Sequence, residues 1–196
     1  GNMPQLEVSL PGPYLFIVEN TQNGCRDSAE VIIFQNTLRP EAQAIANGTL
    51  SCALPSVTLD ASLSTPLNGI QFFWLSGADT LASGITTNVE QPGDYTLLAV
   101  NPENGCADST SLTVEIDTTS PTALAQALDT FTCIQDSIPL SAQGSSQGPQ
   151  IIYQWIDASG SLVGAQQEIQ VGTPQPYQLI VTNIGNGCRD SAQVTP

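Results

Sequence analysis

Three copies of one motif constrain this chain more than any other feature. PGDYTLLAVNPENGCADS at 92–109 matches PGPYLFIVENTQNGCRDS at 11–28 and TPQPYQLIVTNIGNGCRDS at 173–191. Further markers keep a spacing of 81 positions: Cys52 and Cys133, Trp74 and Trp155, Pro40 and Pro121. A fixed period over independent markers indicates tandem units of one fold.

The period divides the chain at two proline-containing linkers, TLRPEA at 37–42 and TTSPTA at 118–123. We expect complete units at 39–117 and 118–196. With the seven strands expected in a unit lettered A to G in chain order, residues 1–38 are expected to form a partial unit with strands E, F and G only, with LEVSL at 6–10 as strand E.

Apolar residues alternate with polar ones within each unit, which indicates half-buried strands, and no segment has a convincing helical period. SVTLDAS at 56–62 is one such strand, and IQFFWL at 70–75 carries Trp74. Each Asn-Gly pair predicts a tight hairpin, because both turn positions tolerate positive φ. Pro139 should face an edge or a bulge, because proline cannot donate to a ladder. The pattern predicts an all-β fold of tandem seven-stranded antiparallel sandwiches.

Composition excludes several classes of function. The net charge is −15, which opposes binding to nucleic-acid phosphates or anionic lipid. No apolar stretch has the roughly 18–20 residues that membrane insertion requires. All three cations are Arg and there is no His, so histidine relays and lysine chemistry are absent. The acids of the middle unit that could form a carboxylate pair fall mostly on turns and have uncharged repeat equivalents. We expect no enzyme.

The motifs also carry a family resemblance. LSCALPSVTLDAS at 50–62, FFW at 72–74 and PGDYTLLAVNPENGC at 92–106 resemble the Ig-like, PKD-like tandem repeats of Bacteroidota cell-surface adhesins and gliding-type giant proteins. The resemblance covers essentially the whole chain. It implies export and display outside the cell as stalks or fibres. Separately, we expect no cofactor.

The cysteines suggest a disulfide framework, because each complete unit has two. The favoured hypothesis joins Cys52 to Cys106 and Cys133 to Cys188, with the partner of Cys25 outside the chain or in a neighbour. In an ordinary sandwich, however, the end of strand A and the start of strand G lie at opposite poles. A bond between neighbouring units and reduced, buried thiols therefore remain alternatives.

Two kinds of surface site are further hypotheses. Ca²⁺ could bind carboxylates near a unit junction, namely Glu19, Glu41 and Asp117, although unliganded acids are the simpler interpretation.

Seven of the ten Asp residues precede Ser or Thr, which resembles the O-glycosylation motif of exported Bacteroidota proteins. The matching acceptors are Ser28, Thr80, Ser109, Thr118, Ser137 and Ser191. Asp and Ser are also ordinary turn residues. Asn47-Gly48-Thr49 is a possible N-glycosylation triplet.

These features predict a secreted or cell-surface structural segment that forms a stalk, surface fibre or filament, with an adhesion target that the sequence does not name. Its partners would be neighbouring repeats or protomers of the same protein. One alternative is a glycan- or protein-binding module that uses loops 63–69 and 144–150. The other is a non-catalytic accessory domain of a secreted enzyme.

Overall fold

The computed structural model describes residues 5–196, and every regular element in that range is a β-strand. The first unit contains β1 (Gly12–Glu19) and β2 (Arg26–Ile33). The second contains β3 (Ile45–Ala46), β4 (Leu50–Ser51), β5 (Val57–Asp60), β6 (Gln71–Ser76), β7 (Asp79–Ser83), β8 (Thr86–Val89), β9 (Gly93–Val100), β10 (Ala107–Val114) and β11 (Ile116–Asp117). The third contains β12 (Gln126–Ala127), β13 (Ile138–Ser141), β14 (Ile151–Asp157), β15 (Leu162–Gly164), β16 (Glu168–Val171), β17 (Tyr177–Asn183) and β18 (Arg189–Val194). Among the described residues there is no helix of the length and apolarity needed to cross a membrane.

Each complete unit is a sandwich of two antiparallel sheets. In the second unit, a four-stranded sheet in the order β10-β9-β6-β7 faces a three-stranded sheet in the order β3-β5-β8. The third unit repeats this arrangement with β15-β14-β17-β18 and β12-β13-β16. The predicted all-β sandwich fold is therefore confirmed.

Alternating apolar residues supply the core between the sheets. In the second unit, Leu59, Trp74 and Leu97 are each 0% exposed and come from three different strands. The indole N–H of Trp74 donates to the carbonyl of Gly84 at 3.2 Å, and Trp155 makes the equivalent bond to Gln166 at 3.1 Å. The buried tryptophans therefore retain a partner for their one polar atom.

The tyrosine that begins the apolar run of each motif makes the same side chain to backbone hydrogen bond in all three units. Its hydroxyl donates to the carbonyl four residues upstream, from Tyr14 to Leu10, from Tyr95 to Gln91 and from Tyr177 to Thr173. These bonds measure 2.8, 2.8 and 2.9 Å. A tyrosine corner at the start of the sixth strand is a hallmark of Ig-like sandwiches.

The first unit is a two-stranded hairpin, and residues 6–10 form no strand. The prediction of strand E there is wrong for a physical reason. In the complete units strand E pairs with strand B, as β8 does with β5, and the described part of the first unit offers no strand B. Its first four residues lie outside the described range.

Pro139 occupies a middle strand, β13, contrary to the simplest form of the prediction. Its carbonyl accepts the Leu128 N–H at 3.0 Å, immediately after β12 ends at Ala127. Proline therefore removes only the return bond from its own nitrogen, at the end of that pairing. In the second unit, the equivalent Thr58 N–H donates to the side-chain oxygen of Asn47 at 2.8 Å. The third unit has proline where that donor would be and Leu128 where the acceptor would be.

Candidate interdomain junction site

The Asn-x-x-Asn-Gly-Cys motif folds into the same turn three times. Its first asparagine donates its backbone N–H to the cysteine carbonyl, at 2.8 Å from Asn20, 2.8 Å from Asn101 and 2.9 Å from Asn183. Its second asparagine accepts the cysteine N–H through its side-chain oxygen, at 3.0, 2.8 and 3.0 Å. The side-chain oxygen of the first asparagine accepts the backbone N–H two residues further on, at 2.9, 3.0 and 3.0 Å. Both asparagine side chains therefore satisfy backbone donors within the turn.

The hairpins exist as expected, but the expected turn type is wrong. Among the described residues no residue other than glycine has positive φ, whereas Gly24, Gly105 and Gly187 each have φ of +74°. The asparagine before each glycine therefore does not enter the left-handed region. The chain reverses over a longer turn in which only glycine adopts that conformation.

The second asparagine of the middle turn also holds the first linker. We call the meeting of 36–42 with 101–108 the first junction. The amide nitrogen of Asn104 donates to the side-chain oxygen of Asn36 and to the carbonyl of Leu38, both at 3.0 Å. The amide of Asn101 donates to the same carbonyl at 3.0 Å. The linker is thereby fixed to the turn of the unit that follows it.

Equivalent contacts recur at the second junction, where 117–123 meets 183–190 and the loop 51–54. The amide nitrogen of Asn186 donates to the Asp117 carboxylate and to the Thr119 carbonyl, both at 3.0 Å. In addition, the Ala53 N–H donates to the Asn186 carbonyl at 3.0 Å. Residues from both complete units therefore meet in one hydrogen-bonded cluster.

A disulfide crosses the second junction. Cys52 is bonded to Cys188, with their Cα atoms 5.0 Å apart, and Cys25, Cys106 and Cys133 are free thiols. The within-unit pairs Cys52–Cys106 and Cys133–Cys188 are therefore wrong, and the alternative of a bond between neighbouring units is the one that the structure contains.

The strand arrangement explains why the within-unit bond does not form. β4 runs parallel to β11, with Ser51 opposite Asp117, so Cys52 lies at the pole where the chain leaves the second unit. Cys106 precedes β10 at the opposite pole. A strand rises about 3.3 Å per residue, so the two cysteines lie roughly 30 Å apart. A disulfide requires Cα atoms within about 7 Å.

The aspartate of each Asp-Ser pair has a structural role in the complete units. The carboxylate of Asp108 accepts the Ala42 N–H at 2.9 Å, and that of Asp190 accepts the Ala123 N–H at 2.8 Å. The Ala42 hydrogen bond is the main reason that the pKa of Asp108 lies below its ordinary value, and Arg39 at 3.5 Å also favours the carboxylate. These bonds fix the entering chain to the start of strand G.

All candidate glycosylation residues are exposed. The O-linked acceptors are Ser28, Thr80, Ser109, Thr118, Ser137 and Ser191, and the N-linked one is Asn47. Their accessibility meets the steric requirement of a modification. The hydrogen bond from Thr58 occupies only the side-chain oxygen of Asn47, and the amide nitrogen is the atom to which an N-glycan attaches.

The carboxylates considered for Ca²⁺ are engaged in other contacts. Glu19 forms an ion pair with Arg26 at 3.0 Å, and Asp117 accepts from Asn186 and from the Thr119 N–H. The Glu41 carboxylate accepts from the side-chain amide of Gln43 at 3.4 Å. Within residues 5–196 no group of three or more His, Cys, Asp or Glu side chains is arranged to hold a metal ion.

The loops considered for ligand binding differ between units. Next to loop 63–69 lies an open groove of about 350 Å³, lined by residues that include Leu67, Ile70 and Phe73. In loop 144–150, the Ser146 carbonyl accepts the hydroxyl of Tyr153 at 2.8 Å. The groove has an apolar wall with one partly exposed ring, so it lacks the pair of exposed aromatic faces that would hold a sugar ring.

The second junction was not predicted from the sequence as the candidate functional site. Asn186 is 3% exposed and Cys188 is 1% exposed. A Cβ at Gly187 would lie 2.5 Å from the Cβ of Ala53. The sequence did contain a signal for this contact, because Asn-Gly-Cys recurs in a turn, where the alternation of buried strand residues does not require it. Only the position of loop 51–54 shows what it contacts.

Comparisons with known proteins give structural likeness only. No family model matches the chain, and no curated protein matches it. Three similar solved structures are domains of the outer capsid protein Hoc of bacteriophage RB49, a biofilm-associated protein and the S-layer protein SbsC. Each is 12% identical, and they have TM-scores of 0.42, 0.25 and 0.29. The matches cover 80, 80 and 94% of this chain and 58, 29 and 69% of the other chains. Because these TM-scores are low, the fold is described from the sheets and buried cores of this chain and not from the similar structures.

Proposed function

We propose that this chain is a segment of a secreted or cell-surface stalk, fibre or filament, in which tandem Ig-like units act through length and stiffness. The observation that carries this proposal is the second junction, where hydrogen bonds and a disulfide join two complete sandwiches. Stacked units in which each contacts only its neighbours form a quasi-one-dimensional rod. A disulfide also suits an oxidising, extracellular compartment.

The linkers support a stiff connection. Pro40 and Pro121 are both buried, and proline restricts φ to a narrow range. Each linker is anchored on both sides of its proline: Leu38 and Ala42 are bound at the first junction, and Thr119 and Ala123 at the second. A linker bound at both ends does not behave as a flexible tether.

The first unit supports partnership with further units of the same type. Its hairpin exposes 59% of Phe16 and 52% of Val18, whereas the equivalent Leu97 and Ala99 are 0% exposed in the second unit. In the second unit the opposing sheet covers that face. We include in the proposal that strands of an adjoining repeat, or of a neighbouring protomer by strand addition, cover the hairpin.

The finer parts of the proposal concern the group of organisms from which the repeat comes and the glycosylation of its surface. The repeat type resembles Bacteroidota surface adhesins, so we propose that the stalk is O-glycosylated at one or more of the exposed Asp-Ser/Thr positions and has no catalytic role. Intact mass of the chain from its native source reads the occupancy directly. An unmodified mass would contradict the glycoprotein hypothesis and leave the stalk hypothesis standing.

Residual dipolar couplings of the oxidised chain in a weakly aligning medium test the stalk hypothesis. If the junction is stiff, couplings from the second and third units fit one common alignment tensor. Reduction of Cys52–Cys188 should allow the two tensors to diverge, whereas Cys133→Ser should change nothing. Two unrelated tensors in the oxidised chain would mean a hinge and would contradict a stiff stalk.

Sedimentation of the same sample tests whether a second copy covers the exposed hairpin of the first unit. A monodisperse monomer would exclude that a second copy does so.

A further inference from the structure

The loop that carries Cys133 repeats the loop that carries the bonded Cys52. In the second unit, the Ser51 N–H donates to the Leu54 carbonyl at 2.9 Å and closes the loop. In the third unit, the equivalent Thr132 N–H donates to the Gln135 carbonyl at 3.2 Å. Cys52 and Cys133 therefore stand at the same place in the same kind of closed loop.

What differs is the cover over the two loops. The Ala53 N–H donates to Asn186, and its Cβ faces Gly187 across the second junction. The equivalent residue in the third unit is Ile134, which is 98% exposed and donates no backbone hydrogen bond among the described residues. Next to it, the Cys133 thiol is exposed and free. An apolar side chain, a free N–H and a free thiol stand together where the second unit makes its junction.

The complementary turn is also present in free form. The Cys25 and Cys106 turns have the same internal hydrogen bonds as the bonded Cys188 turn. A Cβ at Gly24 or Gly105 would meet nothing within 4 Å, so the surface that Ala53 covers at Gly187 is open in both. The chain thus has one unoccupied loop and two unoccupied turns of the matching kind.

We propose that the Cys133 loop is the docking half of a covalent junction and that its occupant is the Asn-x-x-Asn-Gly-Cys turn of a further unit of this type. The Cys52–Cys188 bond supplies the occupant, because it shows this loop paired with this turn. The inference rests on the proposed stalk and adds a polarity. Each loop bonds to the turn of the unit that follows it, so the stalk grows as a ladder of disulfides that cross the junctions.

The bond requires an oxidant, which is a small-molecule or protein disulfide. The thiolate of Cys133 attacks one sulfur of that disulfide and releases one thiolate. The turn cysteine thiolate of the docked unit then attacks the Cys133 sulfur of the mixed disulfide and releases the second. Two protein thiols lose two electrons and two protons, and the oxidant becomes two thiols.

The test is oxidation of the purified 196-residue chain at high concentration with glutathione disulfide, followed by non-reducing peptide mapping. The proposal allows only loop-to-turn links between copies, Cys133 to Cys25 or Cys133 to Cys106. Cys133→Ser should abolish disulfide-linked oligomers, whereas Cys25→Ser should leave the Cys133–Cys106 link. Random pairing, with turn-to-turn links and a Cys133–Cys133 link as abundant as the others, would overturn the proposal.

A second variant separates docking from simple thiol exposure. Ile134→Asp keeps the Cys133 thiol but removes the apolar contact, and should lower the yield of linked oligomers about tenfold. Leu81→Asp changes a half-exposed leucine on β7, away from the loop, and should leave the yield unchanged. Equal yields in the two variants would mean that the thiol reacts without docking. None of these outcomes changes the dipolar couplings across the second junction, so the stalk hypothesis is judged separately.

Discussion

At the first junction Cys106 is a half-exposed free thiol, whereas at the second junction Cys188 is 1% exposed and bonded. The second asparagine of the turn follows the same trend, since Asn104 is half-buried and Asn186 is 3% exposed. The amide of the second asparagine and the carboxylate of the Asp-Ser pair nevertheless hold the linker in the same way in both places. The difference comes from loop 51–54, which approaches the second turn, whereas no described residue of the first unit forms such a loop at the first turn.

The comparison separates two sets of contacts at the junction. Hydrogen bonds from the asparagine amide position the linker with or without a neighbouring loop, so this first set depends only on the turn and the linker. Burial and the covalent bond need the preceding unit to present its loop. The first junction thus shows what the linker and the turn achieve alone, and the second shows what the loop adds.

Of the changes that distinguish the two junctions, removal of the disulfide should have the largest effect on the free energy of unfolding. Cys52 and Cys188 are 136 residues apart, and closing a loop of that length stabilises by about 5 kcal/mol in the chain-entropy model. Cys52→Ser should lose up to about that much, summed over the unfolding of the two complete units. Guanidinium unfolding under non-reducing conditions measures it. Cys133→Ser is the control and should match the unmodified chain; equal stability of both variants would show that the bond does not form.

A methyl group on the turn glycine should have a smaller effect that also differs between the junctions. Gly105 and Gly187 share a φ of +74°, so alanine at either costs about 1–2 kcal/mol in the left-handed region. At Gly187 the new Cβ would also lie 2.5 Å from the Ala53 Cβ and 3.0 Å from its backbone nitrogen.

Gly187→Ala should therefore lose about 1–3 kcal/mol more than Gly105→Ala, the usual range for overpacking. Thermal or denaturant unfolding of the two variants measures the difference. Equal losses would indicate that loop 51–54 does not press on the turn in solution.

Most of the fold was predictable because its signals are local. The alternation that places Leu59 and Leu97 inward is visible in single strands, and the buried tryptophan and corner tyrosine have fixed positions in such sandwiches. Strand E of the first unit was not predictable from its own residues. LEVSL alternates correctly at 6–10, but a strand needs a hydrogen-bonded partner, and the pattern of one segment does not report whether the partner is present.

The candidate site was predictable in its parts but not in its pairing. The repeat identified two cysteines per unit, and the pole argument already opposed a bond between Cys52 and Cys106. Which cysteine then bonds to Cys52 depends on how one unit meets the next, and that relation is encoded in Asn186, Gly187 and Ala53 together. These residues lie far apart in sequence and form one contact only after both sandwiches have folded.

The smallest effect should be a pH dependence confined to one junction. At the second junction Asn186 donates to a carboxylate, Asp117, whereas at the first the equivalent acceptor is the neutral amide of Asn36. Hydrogen bonds from the Thr119 N–H and then from Asn186 hold the pKa of Asp117 below its ordinary value. A carboxyl with a lowered pKa in the folded state stabilises above its unfolded pKa, about 3.9. It loses that contribution as the pH falls through its folded pKa.

Asp117→Asn should therefore reduce stability at pH 7 and have a shrinking effect as the pH falls below about 4. Other aspartates with lowered pKa, such as Asp108, Asp129 and Asp157, are present in both chains and cancel in the difference. At the first junction the Asn36 amide nitrogen also donates to the Glu103 carboxylate at 3.2 Å, so Asn36→Asp would place two carboxylates together and should destabilise increasingly as the pH rises. Unfolding free energies of each variant and of the unmodified chain between pH 3 and 7 measure the two differences. A flat difference for Asp117→Asn would show that its amide replaces the carboxylate fully, as Asn36 already does at the first junction.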